Sequence, residues 1–170
     1  MPIVTATQWV LSLLNGMPLP GNTGPLEAFI TPPSVEDNQE DPHAYIWPST
    51  GSENRESIPR AGVPGVGTNA SGWKTMSHQV DVFLVWFGDE SDQTPDLTFL
   101  TVLDAVMDAL RTCTDPVTQA DPVTGRTSQV YATGERMTYD VAPVRGTSAD
   151  QRVFRWDARI MARVLEDYQA

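Results

Sequence analysis

From Phe154 to Val164 the chain alternates in character, with Met161 the one apolar residue in the charged series. Phe154, Trp156, Ala158, Ile160, Ala162 and Val164 hold one parity, and Arg155, Asp157, Arg159, Met161 and Arg163 hold the other. Successive side chains of an extended strand point to opposite faces, so a sustained period of two specifies a half-buried strand. An antiparallel sheet with one face on a core and one polar face produces this pattern. The reading places a strand over Gln151 to Leu165, and its apolar side requires a cover.

Two segments have the period of a covering helix. Trp9, Val10, Leu13 and Leu14 form one apolar face, with Met17 near its end and Gly16 as a natural stop. Thr5 and Gln8 are spaced as a capping box, and Val4 and Trp9 as a hydrophobic staple, which predicts a helix starting at Thr5. Further on, Thr94-Pro95-Asp96 supplies a hydroxyl cap, a first-turn proline and an acid near the positive end of the dipole. Phe99, Val102, Leu103, Val106, Met107 and Leu110 then make a stripe, with Thr101, Asp104, Asp108 and Arg111 facing away.

Short strands are expected at Leu26 to Thr31 and Ala44 to Trp47, with the acidic stretch Glu36 to Asp41 as a turn between them. A longer strand runs from Lys74 to Phe87. Val80, Val82, Leu84 and Trp86 share one face there, and Phe83, Val85 and Phe87 make the other apolar as well, as in a central strand. Asp115-Pro116-Val117-Thr118 and Asp121-Pro122-Val123-Thr124 read as two consecutive turns, and Gln129 to Val141 as one strand. The sum is a single α+β domain over residues 1–170. It has a mostly antiparallel sheet of four to five strands and two helices on one face.

Between two of these strands, residues 48–73 form an extended Gly/Pro-rich loop in this reading. Its centre, Ile58 to Gly72, has neither a helical nor an alternating period. A connection longer than about 12–15 residues in a compact domain is uncommon unless it binds, covers or links something. This one offers few catalytic side chains beyond Glu53, Arg55, Glu56 and Arg60, and suits contact with a large partner.

Acidic residues outnumber basic ones 22 to 11, a formal charge of −11, which argues against a surface that grips phosphate backbones. It is compatible with a wall that repels DNA while letting it pass. With 40% apolar and 19% charged residues and no bilayer-length apolar run, neither a disordered chain nor a membrane protein is expected. The first residues lack the pattern of a secretory signal, and Cys113 is the only cysteine, so the cytoplasm is the expected compartment and disulfides are excluded.

Searches for reaction chemistry return little. His43 and His78 have no partner at metal-ligand spacing, and no cofactor or metal is expected. Cys113 with His78 as base is outweighed by its reading as a small apolar residue closing a helix. The glycines from Gly62 to Gly72 lack both the phosphate-loop ending and a dinucleotide fingerprint. Asp89, Glu90, Asp92 and Asp96 cluster before a helix start, where acids ordinarily face solvent or the dipole.

Arg152, Arg155, Arg159 and Arg163, with Asp157 among them, stand out in so acidic a chain. Arg155, Asp157, Arg159 and Arg163 share one face of the last strand. Such a strip serves solubility, or attracts the opposite side of another copy.

The segments "WKTMSHQVDVFLVWFG", "LTFLTVLDAVMDALR", "GERMTYDVAPVR" and "QRVFRWDARIMARV" resemble, in pattern, the tail terminator proteins of long-tailed bacteriophages, the minor tail protein U type. The resemblance covers about two thirds of the chain, namely residues 73–110 and 127–163. It implies a virion protein assembled in the host cytoplasm, a hexameric ring that ends the tail tube and meets a head-tail connector or neck protein. DNA would pass through its lumen without specific binding. Arg55, Arg60, Trp73 and Lys74 would then contact the tube or a neighbouring subunit, and Arg152, Arg155, Asp157, Arg159 and Arg163 would join subunits. Another ring protein of the head-tail interface, a tube subunit, or a ligand-binding or enzymatic domain with a loop lid are the alternatives.

Overall fold

The computed structural model describes residues 2–20, 24–30, 42–58, 73–89, 94–133, 137–148 and 151–169. Among the described residues, two helices, α1 (Pro2–Leu14) and α2 (Thr94–Thr112), accompany seven strands. The strands are β1 (Glu27–Phe29), β2 (His43–Ile58), β3 (Trp73–Asp89), β4 (Val117–Ala120), β5 (Thr127–Ala132), β6 (Thr138–Ser148) and β7 (Gln151–Gln169). They form one sheet in the order β1-β2-β3-β7-β5-β4, with β6 also paired to β7. Every pairing is antiparallel except β1 with β2. The class is α+β as the sequence implies, but the sheet has more strands than the four to five expected, seven among the described residues.

The additional strands have identifiable causes. The first Asp-Pro-Val-Thr segment is no turn: its β-branched Val117 and Thr118 enter β4 and pair with Val130 and Gln129. The second is a turn, closed by Asp121. Its carboxylate accepts the N–H groups of Val123 (2.8 Å) and Thr124 (3.3 Å) and the Thr124 hydroxyl (2.8 Å). These bonds, that from Val123 foremost, hold the Asp121 carboxyl far below the usual carboxylate range. Gly125, at φ +68°, completes the loop in the left-handed region that glycine favours. The single strand expected over Gln129 to Val141 is divided, because its two parts pair with different stretches of β7. β5 takes Val164 to Tyr168, and β6 takes Gln151 to Met161.

The expected loop is also corrected in its first part. Pro48 to Ile58 continue β2 and pair with β3 as far as Trp73. The register shifts between Pro48 and Thr50, and again between Asn54 and Ile58. Thr50, Gly51 and Ser52 are exposed, so this stretch of strand has no apolar side to display as alternation. Trp73 opens β3, one residue ahead of the strand expected from Lys74, rather than ending a loop. Pro59 to Gly72, including Arg60, lie outside the described residues.

Helix α1 starts earlier than the capping pattern suggests. Pro2, suited to a first helical position, opens it, and Thr5 lies inside the helix, buried with Thr7. Burial of Ala6, Trp9, Val10 and Leu14 fixes which face meets the sheet. The chain leaves the helix at Gly16 (φ +80°), whose N–H donates to Leu26 O at 2.9 Å and ties the exit to the segment before β1.

Helix α2 buries the stripe read from the sequence: Phe99, Val102, Leu103, Val106, Met107 and Leu110. Each such side chain contributes about 1.5–3 kcal/mol of gross burial. The core joins these residues to Ala44 and Ile46 of β2, Val80, Val82 and Leu84 of β3, Val130 and Ala132 of β5, and Ala158 to Val164 at even positions of β7. All of these strand residues lie on one side of the sheet, and both helices cover that side. The alternation of β7 holds across the described side chains, with Ala158, Ile160, Ala162 and Val164 buried and Arg159 and Arg163 exposed.

Every residue of β3, 17 in all, is paired with β7. That ladder is about 55 Å long, whereas the 19 residues of α2 span about 28 Å. The β3–β7 ribbon is therefore about twice as long as α2, which shares the cover of this side with α1. None of the helices among the described residues is long and apolar enough to cross a membrane.

Candidate functional site

Opposite the helices, the odd-numbered residues of β3 and β7 place polar groups side by side. Asp81, on β3, is 2% exposed. Its Oδ2 accepts from Arg159 Nε at 3.0 Å and from Arg159 Nη2, and its Oδ1 from Ser49 Oγ at 3.1 Å and Gln79 Nε2 at 3.2 Å. A buried carboxylate needs this density of donors to offset its lost hydration. The Arg159 guanidinium also lies over the Phe83 ring, 5.7 Å from its centroid.

Further along the same face, Arg163 Nε donates to Ser77 Oγ at 2.7 Å. Beyond it, Thr75 Oγ1 donates to Asp167 Oδ1 at 2.5 Å and Tyr131 Oη to Asp167 Oδ2 at 3.1 Å. Burial, and then the neighbouring Asp167 charge, raise the Tyr131 hydroxyl above its ordinary range. A groove of about 430 Å³ adjoins this row, lined by Thr50 and Ser52 of β2, Ser77 and Gln79 of β3, Thr138 of β6 and Arg163 of β7.

Geometry qualifies the arginine strip. Asp157, Arg159 and Arg163 do share this face, in register with Val85, Phe83 and Gln79. Arg159, however, is engaged by Asp81 of its own chain, so it acts first as a fold element. Arg155 belongs to the same face by register, opposite Phe87 and Val144, and Arg152 pairs with Thr147 and has the opposite parity. The side chains of Arg152, Arg155, Arg55, Trp73 and Lys74 lie outside the described ones. By backbone register Lys74 stands opposite Tyr168 of β7, beyond the arginine strip.

No family model matches the chain, and no curated protein matches it.

Two histidine contacts escaped the sequence reading. His43 is buried, stacked on Phe29 at 5.8 Å between centroids, with Nε2 3.3 Å from Glu27 Oε2. His78 and Glu166 lie on the helix side of the sheet, with side chains 1% and 3% exposed, and Nε2 and Oε2 approach to 3.2 Å. That approach is not aligned as a hydrogen bond, and Ser128 Oγ on the same side also lacks one. The available signal was parity. His78 precedes Val80 and Val82, and Glu166 follows Ala162 and Val164, each continuing a core-facing series. Cys113 is half-buried and free, and no cluster of three metal-ligating side chains occurs among the described residues.

A buried polar pair is costly to break and cheap to replace as a whole. Glu166→Leu is expected to destabilise by about 3 kcal/mol, by leaving the imidazole without its neighbour. The double variant His78→Leu/Glu166→Leu is expected within about 1 kcal/mol of the parent. Urea unfolding of the three proteins checks this; equal losses in the single and double variants would contradict it.

Proposed function

We propose that this chain is a ring-forming structural protein of a long-tailed phage virion, the terminator that ends the tail tube. The observation that carries the reading is the division of labour between the two sides of the sheet. One side is closed by both helices, while the other carries a row of cross-strand polar groups along the 17-residue β3–β7 ladder. A surface of that kind suits contact between subunits, where charge and hydrogen bonding set register and partner choice. The acidity of the chain, −11 in all, suits a lumen that DNA crosses without being held. On this reading the partners are other copies of the chain in a hexamer, the tail tube protein, and a connector or neck protein. The protein acts in the virion tail after assembly in the host cytoplasm.

Negative-stain electron microscopy of the purified protein, alone and with tube subunits, tests the proposal. Closed rings, and tubes of limited length capped by them, are expected. Tubes that grow freely from this chain alone would make it a tube subunit. Rings that ignore the tube would favour a neck protein. Monomers under both conditions would overturn the ring reading and favour a ligand site in the groove between β2, β3 and β7.

A further inference from the structure

Among the described residues, the sheet leaves two long stretches of strand edge open, on β2 and on β6. β1 pairs with His43, Ala44 and Tyr45 of β2 only. Among the described residues no strand covers the outer edge of β2 from Ile46 to Ile58. β6, 11 residues long, is paired among the described residues on one side alone, by β7. These edges lie on opposite sides of the central β3–β7 pair.

Long unpaired edges expose rows of backbone donors and acceptors that readily accept a further strand. Globular proteins ordinarily protect them by shortness, lysines, prolines or β-bulges, and of these β2 has the two register shifts after Pro48 and after Asn54. Here the edges are about twice a typical strand length, neither contains a lysine, and each has one proline, Pro48 and Pro143. Each also carries an exposed aromatic side chain, Trp47 (48% exposed) on β2 and Tyr139 (53%) on β6. Aromatic residues left in solvent beside an open edge are characteristic of contact surfaces.

We propose that the β2 edge of one copy pairs with the β6 edge of a second copy, so that the sheet continues from subunit to subunit. This rests on the ring reading and specifies its joint. Charge distinguishes the β2–β6 joint from a β2–β2 joint. From Ile46 to Ile58 the β2 edge carries Glu53, Glu56 and Arg55, whereas β6 carries Asp140 and Arg145 in balance. Two β2 edges would bring like charge together, and a β2–β6 pair does not. The joint is also head-to-tail, since it uses different surfaces of the two copies, and only such a joint builds a ring of more than two.

Hydrogen–deuterium exchange over a range of protein concentrations, with mass followed by sedimentation velocity, tests it on the unmodified chain. As mass rises, amides in both 46–58 and 138–148 are expected to exchange at least about tenfold more slowly. Association with protection at neither strand, or at only one of them, would overturn the β2–β6 joint and leave the ring reading standing. Absence of association at every concentration would overturn the β2–β6 joint of the free chain, and the ring reading falls with it only if monomers persist when tube subunits are added.

Discussion

Phe99→Ala is expected to lower the unfolding free energy by about 3–5 kcal/mol, close to the whole stability of a marginal domain. Phe99 is fully buried, near the start of the α2 stripe, and stacks on Trp86 of β3 with centroids 6.3 Å apart and planes 13° apart. Truncation removes the transfer energy of the ring, leaves a cavity between helix and sheet, and forfeits the stacking. Helix propensity cannot conceal the effect, because alanine is the better helix former by only a few tenths of a kcal/mol. For a domain of this length the loss corresponds to about 6–20 °C in melting temperature. Differential scanning calorimetry checks it. A shift below about 3 °C would show that α2 is not anchored through this ring.

Arg159→Glu is the second large effect. It withdraws two donors from Asp81 and places a carboxylate against one that is 2% exposed. Removing one member of a buried pair costs about 3–5 kcal/mol, and the partial exposure of Arg159, 43% for its side chain, favours the lower end, about 3. Arg159→Met retains the aliphatic stem over Phe83 and is expected to cost less, and Asp81→Leu added to it should recover much of the remaining loss. Denaturant unfolding of the three variants checks the order; a stable Arg159→Glu protein would show that Asp81 does not depend on its guanidinium. Charge reversal at Arg159 therefore probes the fold before it probes any assembly.

What could be read from the residues followed the distance from the helices. The α2 stripe and the β7 alternation are legible because each faces the core along its length, and burial selects the residue type at every second or third position. Pro48 to Ile58 is equally a strand, but its exposed Thr50, Gly51 and Ser52 satisfy only backbone pairing, so sequence read it as loop. The capping pattern at Thr5 was outweighed by burial of the same residue and by the proline at position 2. The division between β5 and β6 depends on which part of β7 each segment meets, a long-range fact with no local trace. The arginine strip was legible as a face. Its tie to Asp81 was not, because the two residues are 78 positions apart in sequence.

The central place of β7 has a consequence for how the molecule is made. β7 pairs with β3, β5 and β6, yet it follows every one of them in chain order. During synthesis the ribosome releases both helices and six strands before the strand that joins them emerges. Until then β3 has one long edge unpaired, and β5 and β6 have no partner for the edge that β7 will fill. Contacts this distant in sequence close slowly, and the waiting chain exposes apolar surface and strand edges that favour aggregation. The nascent protein is most vulnerable in the interval before Gln151–Gln169 leaves the exit tunnel, and folding completes only after translation has passed that strand.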